Sequence, residues 1–192
     1  MTTATTKSEV VSFEDEALIL VDSDDQPVGF LDKSSCHDGQ GVLHRAFSAF
    51  IFNAAGELLI QQRAPDKRLW PAYWSNSCCS HPRRGEQIEL AVARRLEQEL
   101  GIGRHDLTAL EFLYKFEYVA HFNDVGTEHE LCAVFVGHTR AEPVVNTAEI
   151  RDWAWIGKDQ LTEQLAAEPD RFTPWLQLEW AKLAAEYPTQ IG

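Results

Sequence analysis

The sequence has no long hydrophobic run, so no segment is predicted to span a membrane. Apolar residues make up 44% of the 192-residue chain, but no run approaches the roughly 20 residues that a transmembrane helix needs. The start of the chain, Met1-Thr-Thr-Ala-Thr-Thr-Lys7, also lacks the apolar stretch of a secretory signal peptide. We therefore expect a cytoplasmic protein with a disordered tail over residues 1–12 and a single domain over residues 13–192.

Positive charge is also scarce in this sequence. Lysine and arginine together number 17, against 30 aspartates and glutamates, and the formal net charge is -13. Nucleic-acid binding depends on a basic face that neutralises phosphates, so we do not expect a nucleic-acid partner. An anionic substrate would need a local cluster of cations that overcomes the negative charge of the whole protein.

Cysteines are few, and no Cys-x-x-Cys pair occurs among Cys36, Cys78, Cys79 and Cys132. In a reducing compartment these thiols favour catalytic or metal-binding roles over disulfides. A tetrahedral zinc site built from the first three cysteines and His81 is one alternative. The spacing disfavours it, because two adjacent cysteines do not readily bind one ion together.

The hydrophobic pattern predicts one mixed sheet flanked by helices, with no repeat or linker. This arrangement is typical of the α/β and α+β classes. The predicted strands cover residues 18–21, 28–31, 47–52, 58–62, 112–120, 128–136 and 153–156. The predicted helices cover residues 86–100, 158–167 and 174–186. Gly101 is expected to end the first helix in a left-handed conformation.

The loop Trp74-Ser-Asn-Ser-Cys-Cys-Ser-His-Pro82 concentrates reactive side chains in a short segment. Pro82 favours an extended backbone at His81. In an extended segment Cys79 and His81 project to the same side, and Cys78 projects to the other. The loop therefore predicts a pocket that contains one thiol and one imidazole, although a cysteine is by default a small buried residue.

A divalent metal site is the second prediction from residue types. Glu128 and Glu130 lie two apart on a predicted strand and share one face, while His129 points the other way. A solvated strand edge is the ordinary alternative for two such acids. Together with His37, His44 and His81 they form a nitrogen and oxygen set that suits a divalent ion.

Several segments, taken in order, resemble the type 1 isopentenyl-diphosphate delta-isomerases, a metal-dependent family with the Nudix fold. They are Lys33 with His37 and His44, the 74–82 loop, Glu128-His-Glu130 and Thr173-Pro-Trp175. The match spans roughly residues 18 to 180. The resemblance implies a Nudix-type α/β (α+β) sandwich that interconverts isopentenyl diphosphate and dimethylallyl diphosphate for isoprenoid synthesis.

The resemblance also implies a role for each matching residue. Cys79 takes the place of the catalytic thiol, and Glu130, assisted by Tyr118, that of the second proton-transfer group. The implied ligands of one Mn²⁺, Mg²⁺ or Zn²⁺ are His37, His44, His81, Glu128 and Glu130. Glu99 matches the ligand of a Mg²⁺ that bridges to the diphosphate. The implied substrate-binding residues are Lys33, Arg63, Lys67, Arg95 and Trp175.

Two positions depart from the family pattern. Ser80 stands where a glycine is common, and His129 stands where we expect asparagine. The implied partner is a small isoprenyl diphosphate, and we expect a monomer or a homodimer.

Two other functions remain open at this point. A Nudix diphosphate hydrolase would carry glutamates at positions 95 and 98, where this chain has Arg95 and Gln98. Glu99 alone is a poor metal site for attack by water. A zinc-stabilised binding module without catalysis would instead need a thiolate site. The ordinary interpretation of Arg95 and Glu99, one helical turn apart, is a surface ion pair.

Overall fold

The computed structural model describes residues 8–191. Residues 1–7 of the predicted tail lie outside the described residues, so disorder there stays a prediction. Within the rest of the predicted tail, Glu9 N–H donates to Asn146 Oδ1 at 3.2 Å. Val11 N–H donates to Glu149 Oε1 at 3.1 Å, and Val11 is buried. These contacts bring the segment before β1 to the rim of the cavity described below.

Within residues 8–191, nine strands form one mixed sheet. They are β1 (Ala17–Val21), β2 (Pro27–Asp32), β3 (His44–Phe52), β4 (Leu58–Arg63), β5 (Trp74–Ser75), β6 (Cys78–Ser80), β7 (Leu107–Phe122), β8 (Gly126–Thr139) and β9 (Ile150–Ile156). The centre is β3, which pairs in parallel with β8 along one edge and antiparallel with β1, β4 and β6 along the other. The β7 and β8 strands form a long antiparallel hairpin.

Four α-helices accompany the sheet in this part of the chain. They are α1 (Lys33–Cys36), α2 (Ile88–Leu100), α3 (Lys158–Ala167) and α4 (Pro174–Glu186), with single 3₁₀ turns at 104–106 and 169–171. The longest helices have 13 residues, well short of the roughly 20 apolar residues that a bilayer requires. None of the described helices qualifies as a membrane span.

The helices cover both faces of the sheet and define two main apolar cores. On one face Val92 and Leu96 of α2 pack with Ile51 and Leu59. On the other, helices α3 and α4 pack over β3, β4 and β8 in a cluster that includes Phe50, Leu161 and Leu176. This architecture confirms the predicted mixed sheet flanked by helices.

The prediction for α2 is correct in position but starts two residues too early. Gln87 has an extended backbone, with φ −68° and ψ 138°, and Ile88 is the first helical residue. Glu86 instead accepts hydrogen bonds from Arg83 N–H and from Arg94, and these hold it outside the helix. Gly101 ends the helix at φ 67° as expected.

Candidate active site

One cavity collects nearly all of the residues singled out in the sequence. Residues of β4, β6, β7 and β8, of α1 and α2, and of the start of α4 line it. The predicted residues that line it are Lys33, His37, Arg63, Lys67, Cys79, His81, Arg95, Glu99, Tyr118, Glu128, Glu130 and Trp175. Their convergence depends on the pairing of β3 with strands that are remote in the chain.

Three imidazoles and a carboxylate meet at one end of this cavity. His44 opens β3 and pairs directly with Glu130 across the parallel register with β8. His81 follows β6, and its Nε2 lies 3.2 Å from His44 Nε2 and 3.1 Å from Glu130 Oε1. With His37, which ends α1, these side chains offer four buried ligand atoms within 4.8 Å of one another.

The donor set fits a divalent cation. His44 Nδ1 lies 2.7 Å from the Val42 carbonyl and must carry the proton there, which leaves a lone pair on Nε2 facing His81. Burial lowers the pKa of His81 to about 4, so this imidazole is neutral, as a metal ligand must be. Such a main-chain hydrogen bond is the usual way in which a ligand imidazole is oriented.

Two buried polar atoms that lack a hydrogen-bond partner among residues 8–191 also indicate a cation site. His37 Nε2 and Glu128 Oε2 lie 3.0 Å apart, yet both are buried and neither has a hydrogen bond of good geometry within the described residues. A buried polar atom without a partner is unfavourable. A cation at the cluster would give both atoms a favourable partner. Glu128 therefore lies beside the four converging ligands, next to His37.

The cysteines contribute no ligand to this cluster. Cys36 is buried and its thiol lies 3.7 Å from the Leu31 carbonyl, while Cys78 is buried under α2. The cluster in the described part of the chain consists of imidazoles and a carboxylate alone. The alternative tetrahedral zinc site through thiolates is therefore not formed.

Tyr118 and Glu130 form a direct hydrogen-bonded pair. They lie opposite each other in the β7–β8 hairpin, and the Tyr118 hydroxyl donates to Glu130 Oε2 at 2.7 Å. Burial raises the pKa of Tyr118 well above its usual value, so it remains a donor. Burial would also raise the pKa of Glu130, but the adjacent imidazoles of His44 and His81 hold it well below the usual range.

Cys79 reaches the cavity from the other edge of β3, where it pairs with Ser48. Its Sγ lies 4.0 Å from an Arg63 guanidinium nitrogen and 4.0 Å from Ser75 Oγ. Burial raises the pKa of the Cys79 thiol to about 12, although the charge of Arg63 opposes the shift. Cys79 and Glu130 therefore border the cavity from strands on opposite sides of β3.

The cations form the polar end of the cavity. Arg63 donates to the main-chain carbonyls of Leu69 and Trp70, and Lys33 Nζ donates to Ser12 Oγ at 2.8 Å. Arg95 is only 3% exposed and donates to Glu99 Oε1 at 2.8 Å. The ordinary interpretation of Arg95 and Glu99 as a surface pair is therefore wrong, because α2 turns both side chains inward.

Trp175 forms an apolar wall. It is the second residue of α4, is 3% exposed, and donates from Nε1 to Ser75 Oγ at 2.9 Å. The Trp70 ring meets it edge-on, with centroids 5.2 Å apart, and the Arg63 guanidinium carbon lies 5.3 Å from its ring centroid. These contacts fix the indole plane at the cavity surface.

Two buried glutamates were not anticipated. Glu149, just before β9, lines the cavity and pairs with Lys67; no local pattern marks it. Glu179 lies on α4 one turn after Trp175, fully buried, and accepts from the Cys132 thiol at 3.5 Å. The spacing of Trp175, Leu176, Trp180 and Leu183 places Glu179 on the apolar face of α4, a signal that could have identified it.

We expect Glu179→Gln to change how stability depends on pH. Burial raises the pKa of Glu179 from an ordinary 4.5 to about 8, so the folded protein holds this proton more tightly than the unfolded chain. This contribution to stability is complete below pH 4.5 and is lost as pH rises to about 8, by at most about 1.4 kcal/mol per pH unit. Denaturant unfolding between pH 5 and 9 should show the wild type losing stability relative to the glutamine variant.

The matched control for this measurement is Glu186→Gln, an exposed residue of the same helix that pairs with Lys182. It should parallel the wild type at every pH. Parallel profiles for Glu179→Gln as well would show that the buried carboxyl does not hold its proton.

Comparison with known proteins finds one family model and several relatives that cover most of the chain. The chain matches the family model described as NUDIX domain over residues 42–176. It is 46% identical over 168 residues to isopentenyl-diphosphate Delta-isomerase 1 of Photorhabdus laumondii, a match that covers 88% of this chain and 94% of that one. It is 43% identical over 163 residues to the isopentenyl-diphosphate Delta-isomerase of Burkholderia multivorans, with coverages of 84% and 89%.

Solved structures share the fold at lower identity. The DR0079 protein of Deinococcus radiodurans superposes with a TM-score of 0.72 at 24% identity, covering 87% of this chain and 98% of that one. A MutT NUDIX hydrolase of Burkholderia pseudomallei gives a TM-score of 0.56 at 23% identity, with coverages of 73% and 98%. These similarities show the fold alone.

Proposed function

Because the chain belongs to the NUDIX domain family and, within it, to the isopentenyl-diphosphate Delta-isomerases, we propose that Cys79 and Glu130 carry out its reaction. The chain interconverts isopentenyl diphosphate and dimethylallyl diphosphate. The observation that supports this assignment is geometric. A thiol from β6 and a carboxylate from β8 line the same cavity from opposite edges of β3.

The reaction moves a carbon–carbon double bond by one position. One proton is added at C4 of isopentenyl diphosphate, which leaves a tertiary carbocation, and one proton is removed from C2. Two acid/base groups at separate positions around the substrate satisfy this proton balance. Cys79 and Glu130 would each give or take one proton, and they would exchange roles in the reverse direction.

The metal site belongs to the Glu130 side of this arrangement. His37, His44, His81 and Glu130 would hold one divalent ion, which we take to be Mn²⁺, Mg²⁺ or Zn²⁺, and Glu128 would join them beside His37. When bound, such an ion supplies Lewis acidity and a fixed position for the carboxylate. The Tyr118 hydroxyl, bonded to the other Glu130 oxygen at 2.7 Å, orients the carboxylate from the opposite side.

The polar end of the cavity would bind the diphosphate. Its cations are Lys33, Arg63, Lys67 and Arg95, which gather positively charged side chains at one place in a protein of net charge -13. Glu99, buried beside Arg95, would hold a Mg²⁺, which would supply positive charge at the diphosphate. Anchoring the diphosphate there would direct the hydrocarbon toward Cys79, Glu130 and Trp175.

Trp175→Phe should slow turnover more than it weakens substrate binding. Phenylalanine keeps an aromatic wall but loses the Nε1–H donated to Ser75 Oγ, and its ring attracts a cation less strongly than indole does. The carbocation exists only along the reaction path, so its stabilisation affects kcat. We expect kcat to fall about tenfold while KM changes less than about threefold. A larger change in KM than in kcat would contradict the placement of Trp175 at the hydrocarbon.

Incubation with isopentenyl diphosphate, Mg²⁺ and deuterated water tests the proposed function directly. Deuterium should enter both isomers without release of phosphate, because protons exchange with solvent through the acid/base residues. Removal of metal ions by a chelator should stop the labelling, and readdition should restore it. Phosphate release without labelling would indicate a NUDIX hydrolase and overturn the proposal. A metal-free enzyme that labels fully would exclude the metal role.

A further inference from the structure

Two of the four cations proposed to bind the diphosphate already have buried carboxylate partners. Arg95 Nε donates to Glu99 Oε1 at 2.8 Å, and Arg95 Nη2 lies 3.8 Å from Glu149 Oε2. Lys67 Nζ pairs with the same Glu149 oxygen. Each carboxylate belongs to a residue that is only 3% exposed, so solvent and salt screen these ion pairs weakly.

The main chain holds Glu149 in place. Its Oε1 accepts from Val11 N–H at 3.1 Å. Its own N–H donates to the Asn146 carbonyl at 3.0 Å, and its carbonyl accepts from Ala64 N–H at 3.0 Å. Both carboxylate oxygens therefore have partners, and the side chain cannot turn away from Lys67 without breaking a buried hydrogen bond.

The charges of this group cancel. Lys67 and Arg95 contribute two positive charges, and Glu99 and Glu149 contribute two negative charges, so the four side chains have no net charge. Of the proposed diphosphate-binding cations, Lys33 and Arg63 donate hydrogen bonds to neutral groups. Lys33 donates to the Ser12 hydroxyl, and Arg63 donates to two main-chain carbonyls and, at 4.0 Å, to the Cys79 thiol. The two positive charges of Lys33 and Arg63 are too few to neutralise the negative charges of a diphosphate.

Away from the carboxylates Glu128 and Glu130 at the imidazole end, two further charged residues line the cavity and leave this balance unchanged. Glu14 and Arg68 also line it, with one charge of each sign, and Arg68 pairs with the exposed carboxylate of Asp38. A diphosphate that enters alone therefore meets a nearly neutral group of side chains at Lys67 and Arg95.

We propose that Glu149 is a positioning residue that makes diphosphate binding depend on a divalent cation. It holds Lys67 and Arg95 in place and neutralises them, so an anion binds strongly only when it arrives with additional positive charge. This inference rests on the proposed diphosphate end of the cavity. It adds to that proposal a role for a carboxylate which would otherwise simply repel the substrate.

Binding of inorganic pyrophosphate to the full chain, measured by calorimetry with and without Mg²⁺, tests this role. In the presence of a chelator, Glu149→Gln should bind pyrophosphate at least about tenfold more tightly than the wild type, which corresponds to about 1.4 kcal/mol. The glutamine removes the negative charge but keeps an oxygen that can accept from Val11 N–H. With Mg²⁺ present, the two proteins should differ by less than about threefold.

Two control variants separate charge from structure. Glu149→Asp keeps the charge and should retain the Mg²⁺ dependence of the wild type. Glu86→Gln removes the carboxylate partner of Arg94 next to α2 but outside the cavity, and it should leave pyrophosphate binding unchanged. A gain of affinity in Glu86→Gln equal to that of Glu149→Gln would overturn the inference.

The remaining outcomes distinguish this inference from the proposed function. If Glu149→Gln binds pyrophosphate without Mg²⁺ no more tightly than the wild type does, Glu149 does not cause the Mg²⁺ dependence. The same conclusion follows if the variant gains equal affinity with and without Mg²⁺. If the wild type fails to bind pyrophosphate even with Mg²⁺, the diphosphate end itself is wrong. Should Glu149→Gln fail to fold, Lys67→Met provides the test. This variant removes a positive charge beside Glu149, so the ratio of the pyrophosphate affinity with Mg²⁺ to the affinity without Mg²⁺ should increase. An unchanged ratio overturns the inference.

Discussion

Cys79→Ala is expected to lower kcat for isomerisation by about 10²- to 10⁴-fold, the range that one positioned acid/base group contributes. The methyl side chain can neither give nor take a proton at the substrate. The diphosphate end, formed by other residues, remains, so KM should change little. Steady-state kinetics with isopentenyl diphosphate and a thermal unfolding profile of the same preparation would measure the loss of activity separately from any loss of fold.

Cys78→Ala is the matched control, because the two cysteines are adjacent in the chain but their side chains lie on opposite sides of β6. Cys78 is fully buried and packs under α2 with Val92 and Leu96, whereas Cys79 lines the cavity. The control should lower the unfolding temperature while kcat stays within about threefold of the wild type. Near wild-type turnover in Cys79→Ala, or a loss of activity confined to Cys78→Ala, would contradict the assignment of the thiol.

Glu130→Gln should reduce kcat at least as strongly. The amide cannot transfer a proton, and it is a weaker metal ligand than a carboxylate. The Tyr118 hydroxyl would still find an oxygen to donate to, so the β7–β8 hairpin should stay intact. Two measurements follow from this prediction. The first is kcat under saturating metal, and the second is the metal content of the purified protein, which should fall below one ion per chain.

Glu117→Gln controls for a carboxylate change on the same hairpin. Glu117 is exposed and pairs with His129 at 3.0 Å on the opposite face from the cavity. This variant should keep both its activity and its metal. If Glu130→Gln retained wild-type turnover while binding a full complement of metal, Glu130 would be neither the acid/base group nor an essential ligand.

Secondary structure was largely predictable because it depends on local periodicity. Alternation from Phe112 to Ala120 predicted β7, and Gly101 predicted the end of α2. The full length of β7 (Leu107–Phe122) was not predictable, because its ends are set by pairing with β8 from Gly126 to Thr139. The two-residue β5 and three-residue β6 were missed for a related reason: segments this short contain no measurable periodicity.

The candidate site was also predictable only in part: its residue types were, but their arrangement in space was not. The types of residue, their order along the chain and the family resemblance indicated Cys79, Glu130 and the three histidines as candidates. Their common position depends on β3, which joins Glu130 to His44 along one edge and Cys79 to Ser48 along the other. No spacing in the sequence determines that register, since strand pairing is decided by packing between distant segments.

By itself the amino-acid sequence determined the chemistry that this protein has available: a thiol, three imidazoles, paired carboxylates and four cations in an acidic chain. Only the tertiary structure decided which charges are buried and which groups face each other. Glu149 and Glu179 show the difference, because burial and neighbouring side chains determine their properties, and those neighbours are as remote in the chain as Lys67 and Cys132. Electrostatic interactions depend on distance in space and on exclusion of water, and neither follows from position along the chain.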